Sequence, residues 1–227
     1  FMFDSRKRLS NLKNIHAGKR CFIIGNGPSL RKEDLQKLYE HKEYTFACNS
    51  LINLFDELPF YATYYFVQYN KVLLNNKEKI SHLKGEIFVK SHYAKRYRVP
   101  GATYYNMLFP KRPIGFSKDI SKVVYSGQTV TYSMIQFAAY MGFTEIYLMG
   151  IDCSYSINNN AVSGDSYFDK KMFDPKKPHN LPEVDTMLLS FEQARKTCEP
   201  MGIRICNAAR GGKLEIFPRV EFDTLFE

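Results

Sequence analysis

The chain has no tryptophan, and no apolar run approaches the roughly 18 residues needed to cross a membrane, so no transmembrane helix is expected. The hydrophobic part of FMFDSRKRLS is too short for a secretory signal. There is also no C-x-x-C pair and no histidine partner at zinc spacing. The five cysteines, Cys21, Cys48, Cys153, Cys198 and Cys206, form an odd set, which fits reduced thiols in a cytoplasmic protein and argues against a cysteine-held metal. No internal repeat occurs. Neither G-x-G-x-x-G nor a Walker loop is found, so no complete phosphate-loop motif can be invoked.

What is present is enough material for a core. At 227 residues with 44% apolar content, the chain reads as one folded domain and not as a disordered segment. Thirty-two basic against 23 acidic residues give a formal charge of +9, which favours an anionic partner: a nucleotide, a nucleic-acid backbone or an acidic membrane face. The same surplus also describes an ordinary soluble surface. The basic clusters at 6–8, 95–98, 111–112 and 170–177 are scattered and no nucleic-acid motif accompanies them, so no nucleic-acid partner is expected.

Short apolar runs alternate with helical patterns: RCFIIG, RKEDLQKLYE, YTFACN, TYYFV, EIFVK, a long helix, EIYLMG, a second long helix and RICNA. This alternation predicts an α/β fold with a mainly parallel, Rossmann-like sheet and helices on both faces. The helix after Gly127 carries Val130, Met134, Phe137, Ala138 and Met141 at intervals of three and four and stops at Gly142. Another, from about Glu183 to Met201, repeats the pattern with Met187, Leu188, Phe191, Ala194 and Cys198. Residues 153–182 between them are polar and about 30 long, with Tyr155, Tyr167, Phe168 and Phe173 as anchors, which predicts a lid over a ligand.

In open α/β sheets ligands bind beyond the carboxyl ends of the strands. The turn Gly25-Asn26-Gly27-Pro28-Ser29 stands there after the first strand, its glycines allowing positive φ and close approach of amides to a phosphate. Asn26 adds a side-chain donor and acceptor. Four other strand ends carry polar residues: Asn49-Ser50, Tyr69-Asn70, Ser126-Gly127-Gln128-Thr129 and Gly150-Ile151-Asp152. Ser126-Gly127 precedes the long helix, whose free amides would make a second anion cradle.

GNGPSL, CN after the second strand, N after the third, SG before the long helix and GFTEIYLMGID resemble the bacterial sialyltransferases of glycosyltransferase family 42. The resemblance implies one Rossmann-like domain with a lid, needing no metal or cofactor and using a CMP-activated nonulosonic acid as donor. Gly25, Asn26, Gly27, Ser29, Asn49, Asn70, Ser126 and Gly127 would then hold the nucleotide donor, with Asp152 placed for a ribose or a metal. Tyr167 matches one lid tyrosine on the phosphate; Tyr155 matches the other after a one-residue slip. His179, one residue off in spacing, corresponds to the general base. Tyrosine hydroxyls suit a departing phosphate and a histidine of near-neutral pKa suits deprotonation of an acceptor hydroxyl. The isolated residues His16, His41, His82 and His92 read as solvated side chains.

NAARGGKLEIFPRVEFDTLFE and QTVTYSMIQFAAYMGFTEIYLMGIDCSY are similar to a second group over nearly the whole chain. These are the domain of unknown function 115 proteins, related to 6-hydroxymethylpterin diphosphokinase and found among surface-polysaccharide genes such as those for capsule and lipopolysaccharide. The sialyltransferase arginine before Ser-Gly is replaced here by Lys122-Val123-Val124-Tyr125, which leaves the donor sugar open. Gly211-Gly212-Lys213 reads equally as an anion contact or a plain turn. No Asp-x-Asp motif occurs; Glu183-Val184-Asp185 and Glu221-Phe222-Asp223 come nearest and read as helix-start or solvated acids.

The leading expectation is a cytoplasmic glycosyltransferase with a nucleotide-sugar donor and a surface-glycan acceptor. The alternatives are an ATP-dependent pterin diphosphokinase, or a non-catalytic nucleotide-binding assembly protein. Contact with an anionic inner-membrane face and self-association stay open.

Overall fold

The computed structural model describes residues 2–58, 60–93, 97–110, 114–158, 161–173 and 181–227. In chain order its regular elements begin with α1 (Met2–Asn11), β1 (Arg20–Ile24), α2 (Lys32–Glu40), β2 (Tyr44–Cys48) and β3 (Tyr64–Val67). There follow α3 (Asn70–Asn75), α4 (Lys77–Ser81), β4 (Glu86–Lys90), β5 (Thr103–Tyr105), β6 (Met107–Leu108) and β7 (Val124–Tyr125). The chain continues through α5 (Val130–Tyr140), β8 (Glu145–Met149), β9 (Ile157–Asn158), β10 (Ala161–Val162), α6 (Val184–Cys198) and β11 (Arg204–Asn207).

Seven strands form one sheet in the order β11-β8-β1-β2-β3-β4-β5, and every pairing in it is parallel. The expected Rossmann-like α/β fold is the observed one. Successive strand residues point to opposite faces, so one strand feeds two cores. Cys21 and Ile23 pack with Leu9, Leu12, Phe137 and Phe191, from α1, α5, α6 and the turn after α1. Phe22 and Ile24 face Leu35, Leu38, Leu51 and Val72 on the other side, where Phe222 of the carboxyl-terminal segment also lies. That segment is tied down by Arg210, which makes a bidentate contact with the buried Asp34 at 2.8–3.2 Å and reaches Asp223 at 2.8 Å.

The chain runs from β1 outward through β5 on one side, then returns to lay β8 and β11 on the other. The order therefore reverses between β1 and β8, and in sheets of this kind ligands bind in the crevice outside the carboxyl ends at that point. Approach to α5 is fixed by the fully buried Gln136. Its Oε1 accepts from the Ser117 and Tyr125 amides at 3.0 Å each, and its Nε2 donates to Tyr125 O at 2.9 Å and Tyr132 O at 3.0 Å. One side chain thus satisfies four bonds and pins the segment entering the helix.

Two sequence expectations differ from the fold. α5 begins at Val130 with Thr129 as its cap, so Ser126-Gly127 lies in the approach and not at the helix start. His16 is only partly solvated: its ring stacks on Phe143 at 4.7 Å and tilts against Tyr44 at 4.1 Å, and Nε2 is 2.6 Å from the Tyr64 hydroxyl. Burial lowers its pKa from the ordinary value.

All five cysteines are free thiols, and Cys21, Cys48 and Cys206 are buried strand residues. Burial raises Cys48, Cys153 and Cys198 from the ordinary 9.0 to about 12. Unfolded thiols lose their protons first as pH climbs through this window, so the folded state binds more protons there and stability falls with rising pH. Urea midpoints should accordingly drop between about pH 8 and about pH 11. Equal midpoints would contradict the burial.

Candidate functional site

Beyond the carboxyl ends of β1, β2, β3, β4 and β8 lies an open cavity of about 480 Å³. Gly25, Asn26, Gly27, Asn49, Ser126, Asp152, Tyr155 and Tyr167 all line it. Ser29, Asn70 and Gly127 are not among its lining residues. His179 lies outside the described residues.

The glycine turn is built differently from an anion nest. Both glycine amides are spent on the end of β8: Gly25 N–H donates to Met149 O and Gly27 N–H to Gly150 O, each at 2.8 Å. Ser29 N–H donates to Asp152 Oδ2 at 2.9 Å, and the Ser29 hydroxyl donates to Asp152 Oδ1. Neither Gly25 nor Gly27 has positive φ. A Cβ on Gly25 would lie 2.3 Å from Gly150 O, and one on Gly27 would lie 2.7 Å from Asp152 Oδ2. The glycines are there because β8 comes this close. Asp152, expected to face a ribose or metal, is buried and acts as the clasp between the two strand ends.

Two further glycine positions resolve in the same sense. A Cβ on Gly127 would meet Ser190 Cβ of α6 at 2.4 Å, so this residue serves helix packing. Gly212 adopts φ +83° and passes beside Asp152, whose carbonyl accepts from Lys213 N–H at 2.6 Å. Of the two readings of Gly211-Gly212-Lys213, this geometry supports the turn.

What the turn offers the cavity is Asn26. Its side-chain oxygen is buried and has no hydrogen-bond partner among the described residues. An orphan acceptor of this kind costs on the order of 1–3 kcal/mol unless a bound molecule or water satisfies it. Three non-glycine residues of the cavity wall also take the left-handed backbone conformation: Asn49 (φ +47°), Gln128 (φ +59°) and Cys153 (φ +48°). Such conformations concentrate where a wall must be shaped for a ligand. Asn49 is held by Gln68 N–H, which donates to its Oδ1 at 3.1 Å, and by the Tyr65 hydroxyl on its carbonyl.

On the opposite side, Thr129, Val130 and Thr131 bring the start of α5 to the cavity, where a helix favours negative charge. Thr129 caps this helix by accepting from Thr131 N–H at 3.3 Å. Residues that follow β8, Tyr155, Val162, Ser166 and Tyr167, also line the cavity, and their segment is tied to the rest of the fold. Phe168 N–H donates to Asn26 O at 2.9 Å, Asn53 Nδ2 donates to Lys171 O at 3.0 Å, and Lys171 pairs with Glu57 at 2.6 Å. Tyr155 places its hydroxyl 3.8 Å from Met187 Sδ. Desolvation raises the pKa of Tyr155 and Tyr167 well above the ordinary phenol, and an ionised Tyr155 would push Tyr167 further up. Both therefore stay protonated and can donate. Cys153, also raised by burial, is no thiolate nucleophile near neutral pH.

Gln68, Lys90 and Thr131 line the cavity and were not singled out from sequence; Gln128 and Thr129, read from sequence as a polar strand end, line it too, as does Glu183, read there as a helix-start or solvated acid. The strand-end signal that led to Asn70 applies to Gln68, because β3 stops at Val67. Lys90 ends β4 as an unremarkable last residue of EIFVK. Among the described residues, no group of three His, Cys, Asp or Glu side chains is placed to hold a metal ion, and no helix is long and apolar enough to cross a membrane.

Fold and cavity together define an open, parallel Rossmann-like protein with its cavity at the point where the strand order reverses. The chain belongs to the 6-hydroxymethylpterin diphosphokinase MptE-like family, whose model matches residues 2–158. Among solved structures it is similar to the MAf glycosyltransferase from Magnetospirillum magneticum, with 15% identity and a TM-score of 0.61. That match covers 98% of this chain and 39% of the glycosyltransferase, so the chain spans well under half of its neighbour's length. The sialyltransferase CstII from Campylobacter jejuni, solved with cytidine-5'-monophosphate, aligns at 19% identity and a TM-score of 0.48, over 90% of this chain and 85% of its own. No functionally curated protein matches.

Proposed function

We propose that residues 1–227 form a glycosyltransferase unit that binds a nucleotide-activated sugar, CMP-linked by the motif resemblance, and transfers the sugar to a surface-glycan acceptor. The observation that carries this reading is the orphan acceptor of Asn26 in a cavity that also presents two protonated tyrosines and the start of α5. The nucleoside would satisfy Asn26 and Asn49, with Ser126 beside them. The departing phosphate would sit between the helix start and the hydroxyls of Tyr155 and Tyr167, where hydrogen-bond donors stabilise developing charge. His179, on the lid 153–182, would take the acceptor's proton. Ser29, Asp152 and Gly127 shape the site from behind. The reading places the enzyme in the cytoplasm and assigns it no metal.

Thermal shift with CMP, CDP, UDP, GDP and ATP, each with and without magnesium, tests it. The expected result is stabilisation by CMP compounds without magnesium. Stabilisation by ATP with magnesium and by no CMP compound would overturn it.

The family match favours a second reading, an ATP-dependent diphosphokinase that transfers pyrophosphate to a pterin alcohol. That chemistry calls for carboxylates around magnesium. Asp152 already spends its carboxylate on Ser29. Transfer activity that persists in EDTA would remove this reading.

A further inference from the structure

Lys90 closes the β4 end of the cavity, and among the described lining residues it is the only cationic side chain. Its Nζ lies 4.4 Å from the ring centroid of Tyr93 and 5.5 Å from that of Phe109. Among the described residues no carboxylate pairs with it and no hydrogen bond takes up its ammonium. β4 is three strands from β1, so at about 4.8 Å per strand Lys90 stands about 14 Å across the sheet from the glycine turn.

A half-buried ammonium without a counter-ion is unfavourable, and two aromatic faces offset only part of the lost hydration. Desolvation accordingly lowers the Lys90 pKa from its ordinary value. The nearest negative potential must come from the cavity itself. Asp152 is engaged by Ser29, and Glu183 accepts from the Thr186 hydroxyl at 3.2 Å on the exposed side of α6. Neither neutralises this corner.

We propose that Lys90 is a specificity residue that pairs with an anionic oxygen group of the bound molecule, selecting a ligand whose negative charge reaches the β4 end of the cavity. Built on the donor reading, this deepens it: the donor carries either a phosphate or a sugar carboxylate at that end. The residue is distant in sequence from the lysine and hydrophobic residues that replace the arginine before Ser126, yet supplies a cation to the same cavity.

The test compares wild type with Lys90→Met, which keeps the apolar stem and removes the charge, and Lys90→Arg, which keeps the charge. Titrations would use cytidine, CMP, a CMP-linked nonulosonic acid, ATP and inorganic pyrophosphate. Lys90→Met should bind the anionic ligand about 10- to 100-fold more weakly, with cytidine unchanged and Lys90→Arg close to wild type. Loss for both CMP and the CMP-sugar assigns Lys90 to the phosphate; loss for the CMP-sugar alone assigns it to the carboxylate. Without ligand, Lys90→Met should melt no lower than wild type, since an unpaired charge has been removed. Equal affinities of wild type and Lys90→Met for every anion, or no anion bound by wild type at millimolar concentration, would overturn the proposal. If pyrophosphate or ATP binds through Lys90 while CMP compounds do not bind at all, the donor reading fails and the role of Lys90 stands.

Discussion

Removing both cavity hydroxyls, Tyr155→Phe with Tyr167→Phe, is expected to slow sugar transfer about 100- to 1000-fold while changing CMP affinity far less. The two rings line the cavity and keep their packing in the variant, so only donor groups are lost. On the proposed reading, the donor phosphate is already matched by the start of α5 in the ground state. Charge grows on it only as the sugar departs, and that is when two hydroxyl donors contribute most. Because burial raises both phenols above 10.0, the tyrosine-dependent part of the rate should stay flat as pH rises to 10.0 and fall only beyond it. Steady-state rates of single and double variants across this range provide the check. A double variant within tenfold of wild type would remove the tyrosines from the chemistry.

Gly25→Ala is expected to cost about 3 kcal/mol or more of stability, near the upper end of overpacking effects. The new methyl would sit 2.3 Å from Gly150 O and 2.9 Å from Ile151 Cγ1. The first of these is backbone of a central strand end and cannot swing aside as a side-chain tip would. Relief requires β1 and β8 to part, which would break the bonds from Gly25 and Gly27 to β8. Gly101→Ala is the control: it has nothing within 4 Å and φ +76°, so only the left-handed conformation opposes alanine, at about 1 kcal/mol. Urea unfolding of the two variants separates the cases. Similar losses at both positions would refute the close approach of the two strand ends.

The parallel sheet was legible because strands buried on both faces read as unbroken apolar runs, and α5 and α6 are long enough to show their period. The elements without a sequence signal are short or polar. β5 has three residues, α3 six and α4 five, and α1 exposes most of its charged length. The cavity was foreseen as polar strand ends, which needs only local sequence. Which atoms face it depends on sheet order and register. Hence Asn70 gave way to Gln68 as the wall of β3, and Gly127 proved to be a contact with Ser190. Lys90 gained a place at the site only once β4 was known to flank β3. Asp152 looked like a ligand because strand-end carboxylates often are; its partner Ser29 lies 123 residues away, beyond the reach of any local pattern.

The family match ends at residue 158, yet the seventh strand does not belong to that stretch. β11 covers the free side of β8, and Asn207 holds the tail against it by donating from Nδ2 to Leu214 O at 2.7 Å. A fragment cut at the limit of the match would leave Glu145–Met149 as a bare, mostly apolar edge, open to pairing with another copy of itself. In this fold β11, which comes from the residues after the match, is the strand that covers that edge.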